Sequence, residues 1–164
     1  MTGQYGFDRT VCSCAACKTN CRYISGVLSV LDLARYRAQQ GDGFELWALA
    51  HLAASPGARA MRRGQIIQIR TIVPRRLEDS RCHWFTQDGR CEVHVNAPFG
   101  CAFFDCTMTK EEGDQRSNPA HAAILEDWLA EGPYSQTWQM LHEAGRTVEG
   151  STAARERMRR EGRW

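Results

Sequence analysis

Eight cysteines are the residues of this chain whose type and spacing point most directly to chemistry. They fall into two groups: Cys12, Cys14, Cys17 and Cys21, then Cys82, Cys91, Cys101 and Cys106. In the first group, gaps of one, two and three residues let a bent loop wrap several thiolates around one centre. Cys14-x2-Cys17 has the spacing shared by zinc knuckles and iron–sulfur loops. The second group has gaps of eight, nine and four residues and is the weaker motif alone. Eight thiols suffice for two four-cysteine sites, or for one cluster with four spectators. The spacing leaves open whether each site is local or shared between the halves. Thiolates are soft ligands and select zinc, copper(I) or iron–sulfur clusters over magnesium or calcium. Such centres keep a net negative charge, which Lys18, Arg22, Arg81 and Arg90, beside the cysteines, can offset.

The other candidates are weaker. His83 and His94 lie near cysteines and read as supporting or packing residues rather than ligands. His51 sits on an apolar helix face and reads as a core histidine, while His121 and His142 decorate C-terminal helices. Asp105 and Glu92 flank cysteines and read as solvent-facing charge. No phosphate loop, dinucleotide fingerprint, nucleophile elbow or HExxH motif is present, so no catalytic residue is assigned. A redox dithiol at Cys14–Cys17 lacks the βαβ pattern that would accompany it.

Composition narrows the class. The chain has 164 residues, 43% of them hydrophobic, and a net charge of +2, which fits one domain with a terminal extension and disfavours a nucleic-acid coat. Lys18 and Lys110 are the only lysines among 21 basic residues. That is read first as compositional bias, with bidentate anion recognition by arginine as the sharper alternative. No apolar run approaches the roughly 20 residues that span a bilayer, and Met1–Asp8 lacks the features of a signal peptide. A cytoplasmic location is therefore expected, where thiols stay reduced and eight cysteines imply metal rather than cross-links.

The elements that must position these thiols are mostly helical. Ser29 and Asp32 form a capping-box pattern before Leu31, Leu33 and Tyr36, with Gly41 as a stop. Phe44 to Ala54 has helical spacing and is ended by Ser55-Pro56-Gly57. Gln65 to Val73 reads as one strand. Between Cys82 and Cys106 the backbone is irregular, with a turn at Gln87-Asp88-Gly89 and a short strand at Glu92–Val95. Asn118-Pro119 reads as the start of a helix carrying Ile124, Leu125, Trp128 and Leu129, stopped by Gly132-Pro133. Ser135 reads as the cap of a further helix with Trp138 and Leu141. Ser151 to Trp164 reads as a solvated helix or frayed tail, with Glu156 and Arg160 paired four apart.

Taken together, several pieces resemble a known family. They are the N-terminal cysteine loop, Val27-Leu28-Ser29-Val30-Leu31-Asp32-Leu33, Cys82-His83-Trp84-Phe85, Asp88-Gly89-Arg90-Cys91, Val93-His94, Pro98, Cys101 and Cys106. Their order is similar to that of the YkgJ-type cysteine-cluster proteins, a zinc- or iron-chelating domain family. Two positions depart from the family pattern. Lys18, Thr19 and Asn20 separate Cys17 from Cys21 where the family has an adjacent pair, and Ala102 stands where an arginine usually follows the penultimate cysteine. The resemblance implies that all eight cysteines ligate metal, and it tips the expectation slightly toward an iron–sulfur cluster, 4Fe–4S, over zinc. The expected fold is α+β, mainly α: a small helical domain with minor strand content and irregular cysteine-rich loops. The expected organisation is a metal-binding domain over residues 1–112 and a helical extension with a basic tail over 113–164. The expected function is metal binding with a redox or accessory role, or a zinc-stabilised interaction module without catalysis. The expected partners are the metal and a protein, with neither membrane nor nucleic acid.

Overall fold

The computed structural model describes residues 4–9, 12, 14–24 and 26–163. In chain order the elements are α1 (Ala15–Tyr23), α2 (Val30–Gln40), α3 (Phe44–His51), β1 (Leu52–Arg62), β2 (Gln65–Pro74), α4 (Lys110–Leu129), α5 (Pro133–Glu143) and α6 (Ser151–Arg160). The fold is α+β with helix dominant, as the sequence implies. Short 3-10 turns occupy His94–Asn96 and Phe99–Cys101.

Helix α2 begins as its sequence requires. Ser29 Oγ accepts the Asp32 N–H, and Asp32 Oδ2 accepts the Ser29 N–H, closing a capping box. Helix α3 ends at His51, short of the expected Ala54, and residues 52–62 are a strand rather than a helix end and a loop. Strand β1 pairs antiparallel with β2 over Leu52↔Pro74 to Arg62↔Gln65. Arg63 and Gly64, both with positive φ, make the two-residue turn that matches strand twist.

Pro56 and Gly57, expected to terminate a helix, instead form a bulge, because the register steps from Ser55↔Thr71 to Ala58↔Ile69. Only glycine fits the second bulge position. Gly57 has φ +123°, and a Cβ there would fall 1.5 Å from the Ile69 carbonyl oxygen. The bulge also frees carbonyls for the indoles: Trp138 Nε1–H donates to Ser55 O at 2.9 Å and Trp128 Nε1–H to Arg70 O at 3.0 Å.

The expected strand at Glu92–Val95 is a turn leading into a 3-10 segment. Asn118-Pro119 lies inside α4, whose cap is Thr109 with Glu112 three residues on. Helix α5 starts at Pro133 with Gly132 as its cap residue, so Ser135 lies in its first turn. Helix α6 is not merely a solvated tail, since Ala154 and Met158, four apart, are fully buried.

One core gathers Leu28, Leu33, Phe44, Leu52 and Ile72 with Ile124, Tyr134 and Leu141. Tyr134 is its polar pin: its hydroxyl donates to Leu28 O and accepts from Ile72 N–H, each at 2.8 Å. Cys82, Trp84 and Phe85 belong to the same core, so the cysteine-rich loop is anchored there rather than laid over the surface.

Candidate metal centre

The structure regroups the cysteines across the two sequence clusters. Cys12, Cys14, Cys17 and Cys106 bring their Sγ atoms within 4.8 Å of one another. Cys106 lies 3.5 Å from both Cys12 and Cys14, sulfur to sulfur. Four thiols this close can hold a metal ion.

Local chain chemistry builds three corners of this group. Cys14 is the N-cap residue of α1, and Ala15 and Ala16 favour the helix that follows. Cys17 thus falls in the first turn beside Cys14. No side-chain capping bond forms at Cys14, yet the Cys17 N–H, with help from the Cys106 and Cys12 thiols, pulls the Cys14 thiol down to about 7. At neutral pH a substantial share of Cys14 is therefore thiolate, the ligating form. Cys106, crowded by the Cys12, Cys14 and Cys17 thiols, is pushed up to about 12.

Cys21, Cys82, Cys91 and Cys101 are not packed in the same way: among the described residues, the first four alone form a group tight enough to hold a metal ion. Cys21 is exposed as a residue, but burial of its thiol, then Cys91, Cys17 and Cys82, push its pKa up to about 11. Cys101 is raised well above its usual value by burial and by Cys82, Cys21 and Cys91. Cys91 is raised by burial and, in part, by Cys82. Each of these thiols feels the charge of the others, without the close sulfur packing of the first tetrad.

Backbone contacts set where Cys82, Cys91 and Cys101 lie. The Cys82 N–H donates to Arg22 O, in the last turn of α1, at 2.6 Å. The turn through Gly89 returns the chain so that Phe85 bridges Cys91 and the Glu92 N–H reaches Trp84 O at 2.9 Å. Cys101 is set by two glycines in near contact: Gly100 N–H donates to Val27 O at 2.8 Å, and a Cβ on Gly26 would fall 2.6 Å from Cys101 Sγ.

The expected charge partners behave differently from their sequence positions. Arg90 is 83% exposed and pairs with Asp88, Arg81 pairs with Asp79, and Arg22 lies over the Tyr23 ring. The arginines that act on thiols are Arg9, which lowers Cys91, and Arg76, which interacts with Cys82. Neither adjoins a cysteine in sequence; the antiparallel bridge Arg76↔Cys82 is what creates the second proximity.

His83 does not face a thiol as its closest polar partner. Its Nε2 lies 2.9 Å from His51 Nδ1, and the two rings lie against Trp47 and Trp84. His94 is exposed, and His142 stacks on Trp138 at 4.9 Å. His121 is lowered by burial, partly offset by a backbone contact with Arg59. Asp105 accepts the N–H and hydroxyl of Thr107, closing the turn that contains Cys106. Glu92 is exposed.

Comparison of the chain with protein-family models, curated proteins and solved structures found no match. Among the described residues, no helix is long and apolar enough to cross a membrane.

Proposed function

We propose that this chain is a metal–thiolate protein in which two tetracysteine sites, Cys12/Cys14/Cys17/Cys106 and Cys21/Cys82/Cys91/Cys101, each hold one zinc-type ion. The sites staple α1 to the cysteine-rich loop. The carrying observation is the tightness of the first tetrad, with all four Sγ atoms within 4.8 Å and two pairs at 3.5 Å. A tetrahedral ion with bonds of about 2.3 Å to sulfur holds its ligands about 3.8 Å apart. A four-iron cluster interposes iron and sulfide between the thiolates and needs them farther apart. The spacing therefore favours a mononuclear ion over the 4Fe–4S reading that the family resemblance suggests. Four protein thiolates complete a four-coordinate site, the pattern of structural rather than catalytic zinc. Arg9 and Arg76 temper the negative charge of the second site.

The test is metal and acid-labile sulfide analysis, with a visible spectrum, on protein purified without oxygen or chelator. About two zinc ions per chain and no sulfide are expected. Stoichiometric sulfide with broad visible absorption would replace zinc by an iron–sulfur cluster. A metal-free, fully folded protein would end both readings.

A further inference from the structure

At the base of the hairpin the chain builds a cleft of about 1000 Å³. Its walls are the 75–81 segment that follows β2 and the 145–149 segment that follows α5, with Arg157 contributed by α6. The second wall is held to β1 by two hydrogen bonds, Ala54 N–H to Arg146 O at 2.8 Å and Val148 N–H to Ala54 O at 3.0 Å. The lining is strongly cationic: Arg75, Arg76, Arg81, Arg146 and Arg157 face only three acids, Glu78, Asp79 and Glu149.

The pairing of these groups is uneven. Arg157 is well engaged, with Nε 2.7 Å from Glu149 Oε1 and a second contact to Glu161, although its Nη2 lacks a hydrogen-bond partner. Arg76 is not. Its side chain is only 9% exposed, and both Nε and Nη1 are buried without a hydrogen-bond partner. Nη1 comes no nearer than 4.0 Å to Glu149 Oε1, and that oxygen already takes two contacts from Arg157. Arg75 Nε and Arg81 Nε are likewise buried and lack hydrogen bonds, although Arg81 lies 3.6 Å from Asp79 Oδ2. Burying guanidinium donors without acceptors is costly, and folded proteins nearly always match such groups. Three neighbouring arginines with spare buried donors, on the wall of an open cleft, call for an anion.

We infer that this cleft binds a small phosphorylated molecule, its phosphate received by Arg75, Arg76 and Arg81. Guanidinium forks match phosphate oxygens two at a time and stay charged at any physiological pH. The cleft is much larger than a bare phosphate, at the upper end of the range typical of ligand pockets, so the ligand carries an organic body. Arg76 also lies beside Cys82, so metal content is followed together with anion binding.

The test is calorimetric titration of the anaerobically purified chain with inorganic pyrophosphate, with metal content measured on the same samples. Saturable binding is expected. Arg76→Gln and Arg81→Gln should each weaken it by about tenfold or more, while Arg59→Gln, on the outer part of β1, leaves it unchanged. Should Arg76→Gln fail to fold, Arg81→Gln and Arg75→Gln carry the same test. The inference is overturned by an absence of saturable binding or by an equal effect of chloride at matched ionic strength. It is also overturned if Arg76→Gln lowers metal content while pyrophosphate affinity stays intact, because Arg76 would then serve the thiolates alone.

Discussion

Asp32 Oδ2 accepts the backbone N–H of Phe99 at 2.8 Å, across 67 residues of chain. The same oxygen accepts the Ser29 N–H and hydroxyl, and the other carboxylate oxygen takes the Tyr5 hydroxyl and Arg35. One buried carboxylate thus starts α2 and also fixes the 3-10 turn that presents Cys101.

Replacing that carboxylate strands several donors at once. Asp32→Ala should cost about 3 kcal/mol or more in urea unfolding, because Phe99 N–H and Arg35 lose a buried acceptor. Ser29→Ala, which removes only the cap, should cost about 1 kcal/mol. Equal effects would mean that the contact to Phe99 contributes nothing.

Cysteine substitutions should divide the metal. Cys14→Ser and Cys101→Ser should each lower zinc from about two to about one per chain, and the double substitution should leave about none. Loss of all metal from either single variant would show one shared centre instead of two.

The close approach of Gly26 and Gly100 leaves no room for a methyl group. Gly26→Ala would put a Cβ 2.2 Å from the Gly100 carbonyl carbon and 2.6 Å from Cys101 Sγ. The expected outcome is loss of metal from the Cys101 site with the Cys14 site retained. Gly43→Ala, where nothing lies within 4 Å, should change neither.

Helix α1 contains no buried residue, so little apolar packing holds it in place. Chelation should therefore release the N-terminal segment before the core melts. Trypsin should then cut after Lys18 and Arg22 while far-ultraviolet dichroism changes little. Cleavage at the same rate with and without chelator would show that metal does not hold this helix.

The His51–His83 pair predicts acid sensitivity. Burial, then His51 and Arg75, pull His83 down to about 4, and burial and Arg75 lower His51. Both groups bind protons more weakly folded than unfolded, so their contribution to stability is full above about 6.5 and is lost as pH falls toward 4. His83→Gln should flatten the melting temperature against pH over that window. Since thiolates also protonate as pH falls, the measured quantity is the wild-type-minus-variant difference at equal metal content.

Local signals in the sequence were legible and non-local ones were not. Ser29-x-x-Asp32 names its own helix because both partners of the cap lie within four residues. Thr109-x-x-Glu112 carries the same signature and is the true start of α4, yet Asn118-Pro119 offers a competing start nine residues inside that helix. Strand β1 was hidden because Ala53, Ala54, Pro56 and Gly57 are poor strand formers, and pairing with the Ile- and Val-rich β2 decides their conformation. The cysteines were identifiable as a set, but not their partition. That Cys12, Cys14 and Cys17 join Cys106 follows from where α1 meets the loop, which no spacing rule encodes. Arg9 and Arg76 escaped notice for the same reason.

The first tetrad draws three thiols from the opening residues and the fourth from Cys106. During synthesis Cys12, Cys14 and Cys17 leave the ribosome well before their partner exists. For that interval they offer an open, three-toothed grip, able to borrow an ion but not to enclose it. Closure waits on Cys106, so an ion enclosed here would report that the stretch from Cys12 to Cys106 has been made and has folded back on itself.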